Sequence, residues 1–124
     1  MKMGSHPLNL TLRFLLELSA MIAMGYWGWT QHEGLSRWLW TISLPVIAAI
    51  LWGTFAVPND PSRSGHAPIP TPGAVRLLLE LLFFAIGVMA LIASQRSTAG
   101  IILATTTLLH YVISYDRILW LLRH

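Results

Sequence analysis

The sequence contains no cysteine and few charged residues. Without cysteine among its 124 residues, a disulfide framework, a zinc–thiolate site and a thiol nucleophile are all excluded. Charged side chains make up only 10% of the chain, whereas a typical soluble domain has about 25%. Hydrophobic residues make up 55%, in runs too long to form one face of a soluble helix. The composition therefore predicts a membrane protein.

Nucleic acid, haem and metal ions are not expected as ligands. The net charge of +3 comes from basic residues scattered singly, so they form no nucleic-acid-binding patch. His110 is the one histidine that we expect at membrane depth, whereas bis-histidine haem needs two. The candidate carboxylates have arginines beside them, which would compete with a metal ion. We therefore predict no cofactor and no metal.

Four apolar runs predict four helices. Each run is long enough to cross about 30 Å of hydrocarbon at about 1.5 Å per residue, and a helix satisfies its backbone groups internally. The predicted helices span residues 8–29, 35–57, 74–93 and 99–121. Residues 58–72 hold five of the seven prolines and predict a polar, extended linker. The sequence thus predicts an all-α integral membrane four-helix bundle, with residues 1–124 forming a single transmembrane domain.

The distribution of lysine and arginine predicts the orientation. If the N-terminus lies on one side, six basic residues lie on or near that side and two lie opposite; in order, they are Lys2, Arg13, Arg63, Arg76, Arg117 and Arg123 against Arg37 and Arg96. This bias predicts a multi-pass membrane protein, with both termini and the linker in the cytoplasm. The first run is too long for a signal peptide, and no small-residue cleavage site follows it, so we expect it to remain.

A charged motif occurs twice, and it is the most specific feature of the sequence. Arg13-Phe-Leu-Leu-Glu17-Leu recurs as Arg76-Leu-Leu-Leu-Glu80-Leu, in each case inside an apolar run. Each repeat contains two helices, so both copies have the same orientation in the membrane. We therefore predict a bundle of two parallel-repeated helical hairpins.

Spacing and depth predict one polar site. Residues four apart share a helix face, so each arginine reaches its glutamate, and the last helix returns His110 and Arg117 to the same half of the membrane. Charged groups at a helix centre cost about 2.5 to 3.5 kcal/mol each, which favours inward-facing pairs. The predicted cytoplasmic-half site comprises Arg13, Glu17, Arg76, Glu80, His110, Asp116 and Arg117. Thr106, Thr107 and Ser114 extend its polar stripe along the last helix.

Several motifs resemble a known family. These are the segment 13–18, Gly25-Tyr26-Trp27-Gly28, Leu44-Pro45, Leu51-Trp52-Gly53-Thr54-Phe55 and the segment 76–81. Together they resemble the YrdB-like family of small bacterial four-helix integral membrane proteins, a domain of unknown function. The resemblance implies the four-span topology and a bacterial origin, but no activity, substrate or site residues.

Three functions are compatible with the predicted site. The first is binding or transport of a small polar, anionic or lipid-like molecule, held by the arginines while Glu17 and Glu80 orient them or exchange protons. Transport would need a dimer, because a one-sided site in a parallel repeat does not suit alternating access. The chain is only superficially similar to small multidrug transporters, which lack a second glutamate and paired arginines.

The other two functions use the same residues differently. A membrane enzyme of the isomerase or cyclase type would use Glu17 or Glu80 with His110 as acid and base on a lipid-soluble substrate. A non-catalytic assembly partner would use the Arg/Glu pairs only to hold its helices together. The assembly role accounts for the charge count, since three arginines balance two glutamates and Asp116.

Overall fold

The computed structural model describes residues 6–61 and 67–124. In these segments the chain forms five helices: α1 (Pro7–Thr30), α2 (Gly34–Thr54), α3 (Gly73–Ala93), α4 (Ser97–Ile113) and α5 (Tyr115–Arg123). Two short strands, β1 (Phe55–Ala56) and β2 (Ile69–Pro70), pair in parallel. The prediction of an all-α protein is confirmed. Lys2 and Arg63, used to predict the orientation, lie outside the described residues.

Three helices are long and apolar enough to cross a membrane: α1, α2 and α3. Helices α4 and α5 pass the same test only as one span, and they meet at an angle of 70°. Many large apolar side chains on all these helices are exposed, and a surface of this kind suits lipid rather than water.

The predicted single helix 99–121 is wrong, because the chain breaks at Ser114. The Ser114 N–H still donates to the carbonyl of His110 at 2.8 Å, but its own carbonyl accepts from Arg117 three residues later at 2.9 Å. Ser114 is fully buried, and its hydroxyl oxygen lies 2.5 Å from Asn9 Nδ2 on α1. This contact between helices occurs at the break. The apolar pattern along the chain does not predict such a contact.

Helix α2 ends earlier than predicted, at Thr54 rather than residue 57. The next two residues form β1, and the Ala56 carbonyl accepts from the Thr71 N–H at 2.9 Å. The described part of the predicted linker 58–72 is therefore hydrogen-bonded to the segment that follows α2. Helix α2 continues without interruption through Pro45.

Helices α1 and α3 lie at the centre of the fold. They pack tightly at Gly87, where an added Cβ would lie 2.9 Å from the Cβ of Ala20. The core between them and α4 is built from Leu16, Ala20, Met24, Phe83, Phe84, Leu103 and Tyr111. Helix α2 packs mainly against α1 and has no fully buried residue. One flank of α3 is therefore left open beside α2.

Aromatic rings gather at the α1–α2 turn, at one end of the first hairpin. Trp29 and Trp38 meet edge to face at 4.9 Å between centroids, and the ring of His32 stacks on Trp40 at 5.0 Å. The Arg37 Nε donates to the carbonyl of Trp29 at 2.9 Å, which satisfies an acceptor at the end of α1.

Candidate functional site

Both copies of the repeated motif make the predicted contact within their own helix. In α1 the Nε of Arg13 lies 3.0 Å from Glu17 Oε1. In α3 the Nε of Arg76 lies 3.0 Å from Glu80 Oε2. The two pairs differ in burial, since the side chain of Glu17 is 18% exposed and that of Glu80 is fully buried. The same motif therefore has two different environments.

Glu80 forms ion pairs with three arginines and accepts a hydrogen bond from a tyrosine. Its Oε2 lies 2.9 Å from Arg13 Nη2, 3.0 Å from Arg76 Nε and 2.6 Å from Arg117 Nη2. The Tyr111 hydroxyl donates to Oε1 at 2.7 Å. Charge-assisted bonds of this kind are about twice as strong as neutral ones. Both oxygens of Glu80 are thus engaged, and the carboxylate joins α1, α3, α4 and α5.

Arg76 also binds the end of α2. Its Nη1 donates to the main-chain carbonyls of Trp52 and Phe55, each at 2.6 Å. Carbonyls at a helix C-terminus lack helical partners and carry partial negative charge, so a guanidinium suits them. The guanidinium carbon of Arg76 lies 4.4 Å from the Trp52 ring centroid, and that of Arg13 lies 5.4 Å away. Trp52 therefore contacts both repeated arginines.

Asp60 takes the position that the sequence assigns to Asp116. Its Oδ1 lies 2.7 Å from Arg117 Nη1, and both side chains are buried. Asp116 lies half-buried in the first turn of α5, and the ion pairs between described residues of the cluster contain Asp60 instead. Asp116 in the cluster therefore stays a prediction, and Asp60 is the aspartate that the structure places against Arg117. The charged cluster consists of Arg13, Glu17, Asp60, Arg76, Glu80 and Arg117, with three charges of each sign.

His110 lies beside the cluster in a separate hydrogen-bond chain. Its Nδ1 lies 3.1 Å from Asn9 Oδ1, and Asn9 Nδ2 lies 2.5 Å from the hydroxyl of Ser114. With the amide in this orientation its oxygen only accepts, so the proton is on Nδ1 of His110. The predicted stripe of Thr107, His110, Ser114 and Arg117 is buried along its length, while Thr106 lies at its edge.

Several buried polar atoms in this region have no hydrogen-bond partner among the described residues. They include Nη1 of Arg13, Nε of Arg117, Nε2 of His110 and Oγ1 of Thr107. A buried polar group without a partner costs about 1–3 kcal/mol, more if it is charged. The polar interior therefore has hydrogen-bonding capacity beyond what the ion pairs use.

An apolar groove runs between α2 and α3, with α1 as its floor. Its volume is about 310 Å³, and its walls are Leu44, Ile47, Ala48, Leu51 and Trp52 on α2, with Leu79, Leu82, Phe83 and Ile86 on α3 and Met24 on α1. We call this the α2–α3 groove. It exists because α2 packs mainly against α1. Trp52 belongs both to the groove and to the contacts of the two arginines.

Sequence reasoning missed three polar residues of the site. Asn9 lies one turn before Arg13 on the same face of α1, a spacing that could have identified it. Tyr111 lies four positions after Thr107 on the buried face of α4. This spacing could have placed its hydroxyl with the polar stripe. Asp60 gave no signal, because a polar residue in a proline-rich linker is usually solvated.

The arrangement limits what each acidic group can do. Glu80 is fully buried, and four donors approach its two oxygens, three at Oε2 and one at Oε1. Glu17 is bound through one oxygen to one arginine and remains partly exposed. Across residues 6–61 and 67–124, no group of three His, Asp or Glu residues is arranged to hold a metal ion. Of the two glutamates, Glu17 is therefore the one that remains partly exposed.

Comparison with known proteins agrees with the motif resemblance. Residues 11–108 match the family model described as a protein of unknown function (DUF2568). The chain is also 45% identical, over 92% of its length and 93% of the relative's, to the uncharacterized protein YrdB of Bacillus subtilis (strain 168). No solved structure matches significantly. The chain belongs to the DUF2568 family, of which YrdB is a relative, and the YrdB-like resemblance of its motifs is confirmed.

Proposed function

We propose that this protein is an integral membrane protein that binds a small polar or lipid-like molecule at the Arg13–Glu17 end of its charged cluster. The observation that carries the proposal is the difference between the two glutamates. Both oxygens of Glu80 have partners, and its side chain is fully buried. Glu17 is 18% exposed, and it lies beside an arginine whose Nη1 has no described partner. One copy of the repeat is thus closed, and the other can still accept a ligand.

The proposed location is the bacterial cytoplasmic membrane. Helices α1, α2 and α3 would each cross it, and α4 with α5 would form a fourth, bent span. The bias of lysine and arginine supports cytoplasmic termini and a cytoplasmic segment 58–72. In this arrangement α1–α2 and α3–α4 are the two parallel-repeated hairpins, and their matching Arg/Glu geometry supports the repeat.

The closed part of the cluster supports a second role, that of holding the helices together. Arg76, Glu80, Arg117 and Asp60 connect α3, α5, the end of α2 and the segment after it. Their charges cancel, which favours a structural network over an ion-binding one. We therefore assign these residues to assembly of the fold, with the ligand-binding role limited to Arg13, Glu17 and their neighbours.

The geometry gives less support to transport and to acid–base catalysis. Either activity through Glu80 would require its carboxylate to release several arginines, which costs free energy in a low-dielectric interior. Catalysis by Glu17 with His110 would need the acid and the base side by side. His110 instead forms its hydrogen bond with Asn9 and not with the Arg13–Glu17 pair. Binding requires no such rearrangement.

Carbodiimide labelling tests whether Glu17 is open. The full chain in phosphatidylcholine nanodiscs is treated with N,N′-dicyclohexylcarbodiimide, a lipid-soluble reagent for carboxyl groups, and adducts are located by peptide mass spectrometry. We expect an adduct on Glu17 and none on Glu80. Exchanging phosphatidylcholine for a total bacterial lipid extract should lower the labelling, because bound molecules would cover Glu17.

Two controls make the result specific. Glu17→Gln should remove the adduct, and the detergent-unfolded chain should be modified at both glutamates, which shows that both peptides can be detected. If Glu17 of the folded protein stays unmodified, the cluster is closed throughout and only the assembly role remains.

A further inference from the structure

We propose that the molecule bound at the Arg13–Glu17 end is a neutral membrane amphiphile with one apolar chain and a hydroxyl-bearing head group, and that its chain lies in the α2–α3 groove. This inference rests on the proposed function, because it names the class of ligand for the same site. Its evidence is independent of Glu17 exposure, since it comes from the course of the groove, its size and the charge balance at its end.

The groove ends beside the charged cluster, and Trp52 belongs to both. On α1, Glu17 lies two turns before Met24, at a spacing of seven that keeps it on the same face. On α3, Arg76 lies three positions before Leu79, again on one face. On α2, Trp52 forms the end wall, and the guanidinium groups of both arginines lie against it. A ligand in the groove therefore has its polar end at the arginines.

The groove is suited to one apolar chain that enters from the lipid. Its floor is closed by Met24 and Phe83, which are 5% and 7% exposed. Its rims are open, since Ile47, Leu82 and Ile86 are about half exposed. The walls on α2 extend over two helical turns, or about 12 Å. The volume of about 310 Å³ lies at the lower limit of the ~300–1,000 Å³ typical of small-molecule sites.

The charges at the end of the groove favour a neutral head group. Three guanidinium groups already meet three carboxylates, so the described part of the cluster has no surplus positive charge to balance a phosphate or a fatty-acid carboxylate. An anionic head would also lie beside the Glu17 carboxylate, which repels it strongly where water is scarce. A hydroxyl group both donates and accepts, so it can donate to Glu17 and accept from Arg13.

Photo-crosslinking with a matched set of probes tests the proposal. Three probes share one diazirine-bearing chain and differ only at the end: a monoacylglycerol, the free fatty acid and the plain hydrocarbon. Each is added to the full chain in phosphatidylcholine nanodiscs, and crosslinked peptides are identified by mass spectrometry. We expect the monoacylglycerol to label the groove segments of α2 and α3 more strongly than either other probe.

Variants separate the head-group contact from the groove. Glu17→Gln should lower monoacylglycerol labelling about tenfold, the effect of losing a hydrogen bond to a charged group, and should leave hydrocarbon labelling unchanged. Ala48→Phe fills the groove wall and should lower labelling by all three probes. Its matched control is Ala49→Phe, at an exposed neighbouring position outside the groove lining, which should have no effect.

Three results would overturn the proposal. Equal labelling by the hydrocarbon shows that the groove holds bulk lipid chains only. Stronger labelling by the fatty acid shows that the site prefers an anion. Labelling that Ala48→Phe and Ala49→Phe reduce equally places the probe elsewhere. Because carbodiimide modification of Glu17 is measured separately, these failures leave the polar site intact, whereas an unreactive Glu17 removes the site itself.

Discussion

Replacing Glu80 with glutamine tests whether this carboxylate is the centre of the fold. The substitution keeps the size and shape of the side chain and removes one negative charge. It leaves three buried guanidinium groups without the carboxylate that they share. Two of these arginines retain another carboxylate, whereas Arg76 retains the main-chain carbonyls of Trp52 and Phe55. The variant therefore creates an uncompensated charge next to α3.

The expected loss of unfolding free energy is large. Breaking a buried ion pair by removing one partner costs about 3–5 kcal/mol, and here one partner serves three ion pairs. The matched control is Glu17→Gln, the same change at the equivalent position of the first repeat. Glu17 is partly exposed and binds only Arg13, which retains its bond to Glu80. Its loss should be at most about 1 kcal/mol.

The measurement is unfolding by sodium dodecyl sulfate in mixed micelles, followed by the fluorescence of the six tryptophans. Trp52 is a useful reporter, because two guanidinium groups contact its ring in the folded state. We expect Glu80→Gln to be less stable than Glu17→Gln by about 2 kcal/mol or more. Equal losses for the two variants would refute the view that the repeats differ, with Glu80 as the shared acceptor.

Two further substitutions test other contacts by the same titration. Tyr111→Phe removes the hydroxyl bound to Glu80 and should cost about 1.5–3 kcal/mol, the range for hydrogen bonds to charged groups; an unchanged midpoint would mean that this bond does not form. Gly73→Ala places a Cβ against the Leu121 carbonyl, so α5 must move, at a cost of about 1–3 kcal/mol. Gly53→Ala, where no described residue lies within 4 Å of an added Cβ, should be neutral or slightly stabilising, and a similar loss there would contradict the steric argument.

The parts of the fold that depend on local pattern were predictable. Long apolar runs predicted the helices, and α1 and α3 begin and end within one residue of the predicted bounds. Spacing by four residues predicted the contact of Arg13 with Glu17 and of Arg76 with Glu80. These features depend on helix geometry alone, so no knowledge of neighbouring elements was needed.

The parts that depend on contacts between distant residues were not predictable. The run 99–121 is apolar on both sides of Ser114, and only the contact with Asn9 distinguishes this serine from one inside a continuous helix. Asp60 is polar and lies between prolines, so its burial against Arg117 could not be inferred from its neighbours in sequence. In both cases the determining partner is far away along the chain.

The Arg/Glu contacts inside α1 and α3 have a consequence for biogenesis. Each pair is formed by residues of a single helix, so each helix can be electrically neutral before it meets another. A nascent helix that leaves the translocon with its charges already matched avoids much of the cost of placing an isolated charge in hydrocarbon. The two helices can therefore be released into the bilayer one at a time. The shared bonds to Glu80 need to form only later, when the helices associate.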